Sequence, residues 1–356
     1  MVSKPSFYYI SLFWTNKHFL SIIVHVQGQV FKIHSDFYYI NFDNRIFECR
    51  IREVLKKQNQ KIYVGDFVEF KNGYITQILE RKNFIPRPAV SNIDQVIIVS
   101  SVKEPDLDFM QLDRYISFAE YYGLDVKLCF NKNDLSSDDS LIEKVFSIYE
   151  PLGYDIIFTS ALEGFEIDEF QKLMEDKISV LCGQSGVGKS SLINSLNPDF
   201  DIRTKKVSEK TQRGTHTTRH CEIMNVSDNI RIIDTPGFSN LKFDFLLPLD
   251  VDKLFREFKP YLNSCKYQDC LHIHEDGCTI IKDKEEIISP ERYNSYVEFV
   301  KEAKEYKEKI KNQGNKTESG FKHTHNKTAV KISANKRIGS RRTLKQDLYK
   351  ELENDE

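Results

Sequence analysis

Residues 178–182 read "ISVLC", an apolar run without a charge, and pass directly into "GQSGVGKS" at 183–190 and then "SLINSL". A strand that ends in a glycine-rich turn and re-enters as a helix is the context that the pattern GxxxxGK[ST] requires. In that turn the backbone N–H groups can curl around a phosphate at a helix N-terminus. The candidate phosphate-binding residues are Gly183, Gln184, Ser185, Gly186, Val187, Gly188, Lys189, Ser190 and Ser191. Lys189 would set its ammonium on the β- and γ-oxygens of a nucleoside triphosphate, and the Ser190 hydroxyl would face Mg2+.

The flanking chain alternates strand and helix, the signature of a mostly parallel sheet covered by helices. "DQVIIVSS", "DVKLCF", "DIIFTSA", "HCEIM" and "NIRIIDTPG" read as strands. "DEFQKLMED" and "DLDFMQLDRYISFAEYYG" read as helices, the latter with Leu107, Met110, Leu112 and Ile116 at helical spacing and Gly123 at its end. At 356 residues the chain exceeds what one core organises, so further domains are expected. Upstream, "GQVFKIH", "DFYYINF", "RIFECRIRE", "KIYVGDFVEF" and "GYITQILER" are short β-prone stretches separated by turn residues such as "DN" and "KNG". Five strands suggest an OB-type barrel, either a generic β-domain or a platform for single-stranded nucleic acid. "FIPRPAV" reads as a link, and beyond residue 248 the chain becomes helical, with Ser289 and Pro290 as cap and first turn of a long helix.

Two further loops carry base and metal chemistry. In "NKND", residues 131–134, the Asp134 carboxylate can accept both N1–H and the exocyclic N–H of guanine, whereas adenine presents the wrong donors. Asn131 would hold the loop and guanine N7, Lys132 would lie over the base, and Asn133 completes the loop. In "TSA", Ser160 precedes Ala161, whose N–H would meet guanine O6. In "DTPG", Asp234 would hold Mg2+ through water and Gly237 would donate to a γ-phosphate. The polar loop "RGTHTTRH" supplies Thr215, Thr217 and Thr218 as candidate hydroxyl ligands of Mg2+. Most guanine-nucleotide switches carry the phosphate loop first; here the base loop leads.

Of seven cysteines, Cys49, Cys129, Cys182 and Cys221 stand alone in apolar runs. The others lie in "CKYQDCLHIHEDGC", where three thiolates and an imidazole suit one tetrahedral structural Zn2+, His272 and His274 both being chemically possible. No C-x-x-C is present to support a redox pair. The apolar stretches of residues 1–27 are interrupted by Thr15, Asn16, Lys17 and His18 and lack a cleavage site, so they read as an extension and not a membrane span or signal peptide. The net charge of -2 implies no polyanionic partner, yet residues 316–345 hold nine Lys and Arg against Glu318 alone. That tail, residues 313–356, reads as disordered, either a solubilising tail or a polyanion-binding one.

Together, "VGDFVEF", "RPAVSNIDQVIIVSS", "NKNDL", "SAL", "GQSGVGKSSLIN", "HTTRH", "DTPGF" and the cysteine cluster resemble the circularly permuted GTPases of the RsgA/YjeQ type, over residues 28–310. The resemblance implies an α/β permuted Ras-like P-loop GTPase domain at 89–245, preceded by a five-stranded OB-type barrel at 28–88 and followed by a zinc-binding helical domain at 246–312. It selects Cys265, Cys270, His272 and Cys278 as the zinc ligands, and Ser190, Thr218 and Asp234 as those of Mg2+. It implies that His216 serves hydrolysis, since Phe238 stands where many Ras-like proteins have glutamine. Thr215 departs from the arginine more usual in the family. The implied function is GTP hydrolysis to GDP and phosphate, stimulated by the small ribosomal subunit, in a late maturation factor of that subunit whose nucleotide state is coupled to rRNA binding. A cytoplasmic monomer without membrane contact is expected, with residues 211–245 reorienting the helical domain as the γ-phosphate comes and goes. An RNA-binding scaffold with incidental turnover is the alternative; a small-molecule kinase is disfavoured by Asp134.

Overall fold

A computed structural model of the chain describes residues 26–57, 60–86, 89–197, 221–234, 243, 246–314, 321–324 and 327–330. The first stretches form a closed barrel of β1 (Val26–His34), β2 (Phe37–Phe42), β3 (Arg45–Ile51), β4 (Phe67–Lys71) and β5 (Tyr74–Ile78), with a short helix α1 (Glu53–Lys57) between β3 and β4. Strand order β1-β2-β3-β5-β4 is closed by β1 pairing with β4. The hairpin turns obey the backbone chemistry of their residues: Asp43 and Asn44, and then Asn72 and Gly73, all have positive φ, as two-residue hairpin loops demand. Inward alternation puts Val30, Ile40, Val68 and Ile75 in the barrel core.

The stretch expected as a plain link instead forms a small hairpin of β6 (Phe84–Pro86) and β7 (Ala89–Ser91). A buried polar joint ties it to the barrel. Asp66 accepts from Arg81 Nε at 2.6 Å and Nη2 at 2.9 Å, from Ser91 Oγ at 2.6 Å and from the Tyr63 N–H at 2.8 Å. Such a carboxylate is satisfied on every side, which is what its full burial requires.

The central domain comprises β8 (Gln95–Ser101), α2 (Phe109–Tyr121), β9 (Asp125–Asn131), α3 (Ser140–Tyr149), β10 (Asp155–Phe158), α4 (Ile167–Met174), β11 (Ile178–Cys182), α5 (Lys189–Leu196), β12 (Glu222–Asn225) and β13 (Arg231–Asp234). Its sheet runs β10-β9-β8-β11-β13-β12, parallel except for the edge strand β12. Successive residues of β8 enter different cores: Val96 and Ile98 pack with α2 and α3, Ile97 and Val99 with α4 and α5. Two-sided burial explains why β8 and β11 carry no charged residue and why the buried Gln95 and Ser179 hydrogen-bond to each other. The edge strand β12 also meets β1, with Lys32 opposite Glu222, so barrel and central sheet are continuous. Met110 falls on the exposed side of α2, because at about 100° per residue it stands roughly 200° around the helix from the buried Leu112.

The carboxy-terminal domain has its own core, in which Phe255, Phe258, Tyr296, Phe299 and Val300 pack around 3-10 turns, the short helices α6 (Thr279–Lys282) and α7 (Lys284–Ile287), and α8 (Pro290–Gly314). Ser289 caps α8 by accepting from the Arg292 N–H at 3.3 Å. Within the tail expected to be irregular, β14 (Phe321–Thr324) and β15 (Lys327–Val330) pair as a hairpin. Burial pushes the Cys49 thiol up to about 11 and that of Cys129 up to about 12, consistent with small hydrophobes. Among the described residues no helix is long and apolar enough to cross a membrane.

Candidate nucleotide and metal sites

Strands β8, β9, β10 and β11 are mutually parallel, so the loops that follow them gather at one edge of the sheet. The glycine-rich loop leaves β11 at Gly183, whose φ of +146° is paired with a close approach: an added Cβ would lie 2.0 Å from the Val99 carbonyl oxygen. Gly188 caps α5 at φ +95°, and a Cβ there would stand 2.1 Å from Asn131 Nδ2. The last glycine of the loop is thus dictated by the base-reading strand beside it. Lys189 Nζ donates to the carbonyls of Gly183 and Gln184, each at 2.7 Å, and so lies across the mouth of the loop. Ser190 and Ser191 follow in the first turn of α5.

Asn131 is the cross-brace of the site. Its Nδ2 donates to the Val187 carbonyl at 2.9 Å, while its Oδ1 accepts the Ala161 N–H at 3.1 Å. Both amide atoms, expected in part to reach a base, are used to join the phosphate loop to the "TSA" loop. The Ala161 N–H expected to meet guanine O6 points at Asn131. Lys132 sits in the left-handed region at φ 63° and its Nζ donates to the Glu104 carbonyl. The Asn133 N–H donates to the Thr159 carbonyl at 3.0 Å. Ser160 Oγ donates to Asp134 Oδ1 at 2.5 Å and accepts the Glu163 N–H at 3.1 Å, which fixes the orientation of the carboxylate. Thr159 contributes a buried hydroxyl 3.4 Å from Asn131 Oδ1. The signal for Thr159 in the sequence is its place between the strand and "SA".

Asp234 ends β13, which pairs in parallel with β11, so its backbone arrives beside the phosphate loop. Thr215, His216, Thr217, Thr218, Gly237 and Phe238 lie outside the described residues, as does residue 1–25 of the amino-terminal extension and residue 331–356 of the tail.

Away from this edge, Cys265, Cys270, His272 and Cys278 bring one ligand atom each to within 4.8 Å of the others. Cys265 Sγ lies 3.7 Å from Cys278 Sγ, and His272 Nδ1 lies 3.5 Å and 3.3 Å from these sulfurs. A tetrahedral ion with bonds of ~2.3 Å to sulfur and ~2.0 Å to nitrogen needs edges of about 3.8 and 3.5 Å, so the donor set fits such a metal. His272 Nε2 stands 3.6 Å from Asp252 Oδ2, the outer carboxylate that commonly orients a ligating imidazole. His274 is exposed and takes no part. Glu275 accepts the N–H groups of Leu271, Ile273 and His274; burial opposes its ionisation, and these donors overcome it, holding the carboxyl at about 2. Tyr293 and Tyr296 of α8 donate to the carbonyls of His272 at 2.9 Å and Leu271 at 2.8 Å, pinning the ligand loop to the helix.

Residues 78–244 match the family model described as RsgA GTPase, and residues 27–75 that of the RsgA N-terminal domain. Residues 178–314 also match a model described as 50S ribosome-binding GTPase. The Small ribosomal subunit biogenesis GTPase RsgA of Alkaliphilus metalliredigens is 37% identical over 288 residues, covering 78% of this chain and 98% of the relative. The chain belongs to the RsgA GTPase family. It is accordingly a GTP hydrolase with a circularly permuted domain. The RsgA protein of a Geobacillus species is 39% identical over 289 residues, covering 79% of this chain and 98% of its own. Among solved structures, YjeQ from Thermotoga maritima superposes with a TM-score of 0.69 at 32% identity, covering 79% of this chain and 99% of that one. YloQ, described as a circularly permuted GTPase, gives 0.68 at 28% identity, with 81% and 98% covered. In this RsgA GTPase the family models leave residues 1–26, 76–77 and 315–356 uncovered.

Proposed function

We propose that this RsgA GTPase binds and hydrolyses GTP as an assembly factor of the small ribosomal subunit, stimulated by that subunit and coupling nucleotide state to rRNA binding. The observation that carries the nucleotide reading is the Ser160 to Asp134 hydrogen bond at 2.5 Å, which holds a carboxylate ready for guanine beside a braced phosphate loop. The names of the relatives support the ribosomal part. Residues 183–191 cradle the phosphates; Asn131, Lys132, Asn133, Asp134, Ser160 and Ala161 form the base pocket, with Asn131 acting mainly as a brace; Gly237 contacts the γ-phosphate. Ser190, Thr218 and Asp234 would hold Mg2+, and that ion would supply positive charge to offset that of the phosphates. His216 orients or activates the attacking water. The Cys/His cluster holds one structural Zn2+, whose donor set of three sulfurs and an imidazole favours that ion over Mg2+ or Ca2+. The barrel, with Arg50 stacked 4.6 Å over Phe37 and with Phe47 and Tyr74 exposed, suits contact with single-stranded RNA. The protein works as a cytoplasmic monomer.

Steady-state phosphate release from GTP and ATP, with and without purified small subunits, tests this reading. Turnover of GTP alone that rises steeply with the subunit is the expected result. Faster release from ATP, or indifference to the subunit, would overturn it.

A further inference from the structure

The carboxy-terminal domain is fastened to the central domain by three sets of contacts on one helix, α2, from Asp113 to Glu120. At the first pin, the guanidinium of Arg292 on α8 is buried, with Nη1 2.7 Å from Asp113 Oδ1 on α2 and Nε and Nη2 at 2.5 and 3.0 Å from the Glu257 carboxylate. Tyr149 of α3 donates to the same Asp113 oxygen at 2.9 Å. Burial opposes the charge on Arg292, and the two carboxylates more than offset it, raising its pKa further. At the second pin Arg114 makes a two-pronged contact with Glu302 at 2.7 and 2.6 Å and lies 4.8 Å over the Phe299 ring. At the third, Glu120 accepts from Arg256 at 2.5 Å and Lys259 at 3.1 Å. Arg256 also donates to the carbonyls of Leu152 and Gly153 and stacks 3.9 Å over Tyr154.

At its other end, α2 enters the nucleotide edge. Leu107, Asp108 and Gln111, at its start, line a cleft with Gln184 and Val187 of the phosphate loop. A buried charge triad makes a poor hinge, because separating its members strands an uncompensated charge in a low-dielectric interior. Sliding or swinging the carboxy-terminal domain over α2 would break this triad together with the two flanking ion pairs.

We infer that α2 and the carboxy-terminal domain form one rigid body, with Arg292 as its positioning residue. Events at the phosphate loop therefore reach the metal-bearing domain through the first turn of α2, and the domain does not reorient on the central sheet. The inference rests on the nucleotide reading only for the route of the signal; the rigid seam stands on the pins themselves.

The test is a pair of genetically encoded spin labels at the exposed positions Glu169 on α4 and Glu305 on α8, with distances measured by pulsed electron resonance in the full chain. Wild type should give one narrow distribution that is the same without nucleotide, with GDP and with a non-hydrolysable GTP analogue. A shift or splitting of the distribution with nucleotide would overturn the inference. The charge-neutral combination Asp113→Asn, Glu257→Gln and Arg292→Met, checked for one equivalent of metal, should at least double the width of the distribution. An unchanged width would show that Arg292 is not the pin. Should that combination fail to fold, Arg114→Gln with Glu120→Gln, which removes the two outer pins, should broaden it less, and no broadening again counts against the inference. Titration of the same labelled protein with GDP separates failure of the nucleotide reading, seen as absent binding, from failure of the rigid seam, which is read without nucleotide.

Discussion

The two appended domains are joined to the central sheet by different physics. The barrel is held through its own connection in the chain, where buried Asp66 gathers Arg81 and Ser91, through Phe31 and Val64, which pack into the central core, and through a strand pairing at which Lys32 meets Glu222 at 2.5 Å with both side chains partly exposed. The carboxy-terminal domain is held by residues far apart in sequence: Asp113, Glu257 and Arg292, with side chains no more than 3% exposed. One seam joins residues close in sequence around a shared apolar core, with a partly exposed ion pair at its rim; the other joins buried charges distant in sequence. The contrast teaches that one appended domain is fixed by apolar packing continuous with the central core, and the other, which has a core of its own, by buried charges.

The largest effect should come from breaking the seam of buried charges. Arg292→Ala leaves two buried carboxylates unpaired and should cost about 3–5 kcal/mol in urea unfolding, whereas neutralising the whole triad should recover most of that loss. Equal losses from both variants would mean the charges themselves do not matter. Asp66→Ala strands Ser91 and Arg81 at the barrel joint and should cost about 2–3 kcal/mol, read as early proteolysis between barrel and sheet. Glu275→Gln sharpens the comparison by loosening the metal loop without touching either seam. Its carboxyl lies at about 2 in the fold against an ordinary 4.5, so its contribution is present above about 4.5 and disappears as pH falls toward 2. Allowing for solvent screening of a partly exposed group, the variant should lose about 1 kcal/mol at neutral pH, with faster metal transfer to a chelator. Convergence of the two stability curves at acid pH is the signature to seek. Lys32→Met, at the rim of the barrel seam, should cost under about 1 kcal/mol and less still in high salt.

Much of this was legible in the sequence wherever chemistry is local. The turn pairs Asp43 with Asn44 and Asn72 with Gly73 announce hairpins, and the glycine-rich loop announces its strand and helix, because each depends on backbone freedom at adjacent positions. The metal ligands were legible for the same reason, all four lying within fourteen consecutive residues. Long-range partnerships were not. Nothing near Asn131 reveals that its amide would be divided between Val187 and Ala161, and nothing near Asp113 names Arg292. The one available signal was Arg292 itself, which stands on the same face of α8 as Tyr296, Phe299 and Ala303, a charge in an apolar stripe. Met110 is apolar yet off the buried face, because two positions before Leu112 is the opposite side of a helix.

The strand order carries a consequence for the order of synthesis. Since the sheet runs β10-β9-β8-β11-β13-β12, a growing chain lays it down outward from β8 to one edge and then begins again at β11, with β12 made before the β13 that lies between them. The three strands of the guanine side are complete at Phe158, before Ile178 has been added. Until β11 arrives, the inner edge of β8 offers unpaired backbone along "QVIIVSS", an apolar template open to any extended segment. In this strand order the open edge of the first half-sheet is covered by β11, the strand that leads directly into the phosphate loop.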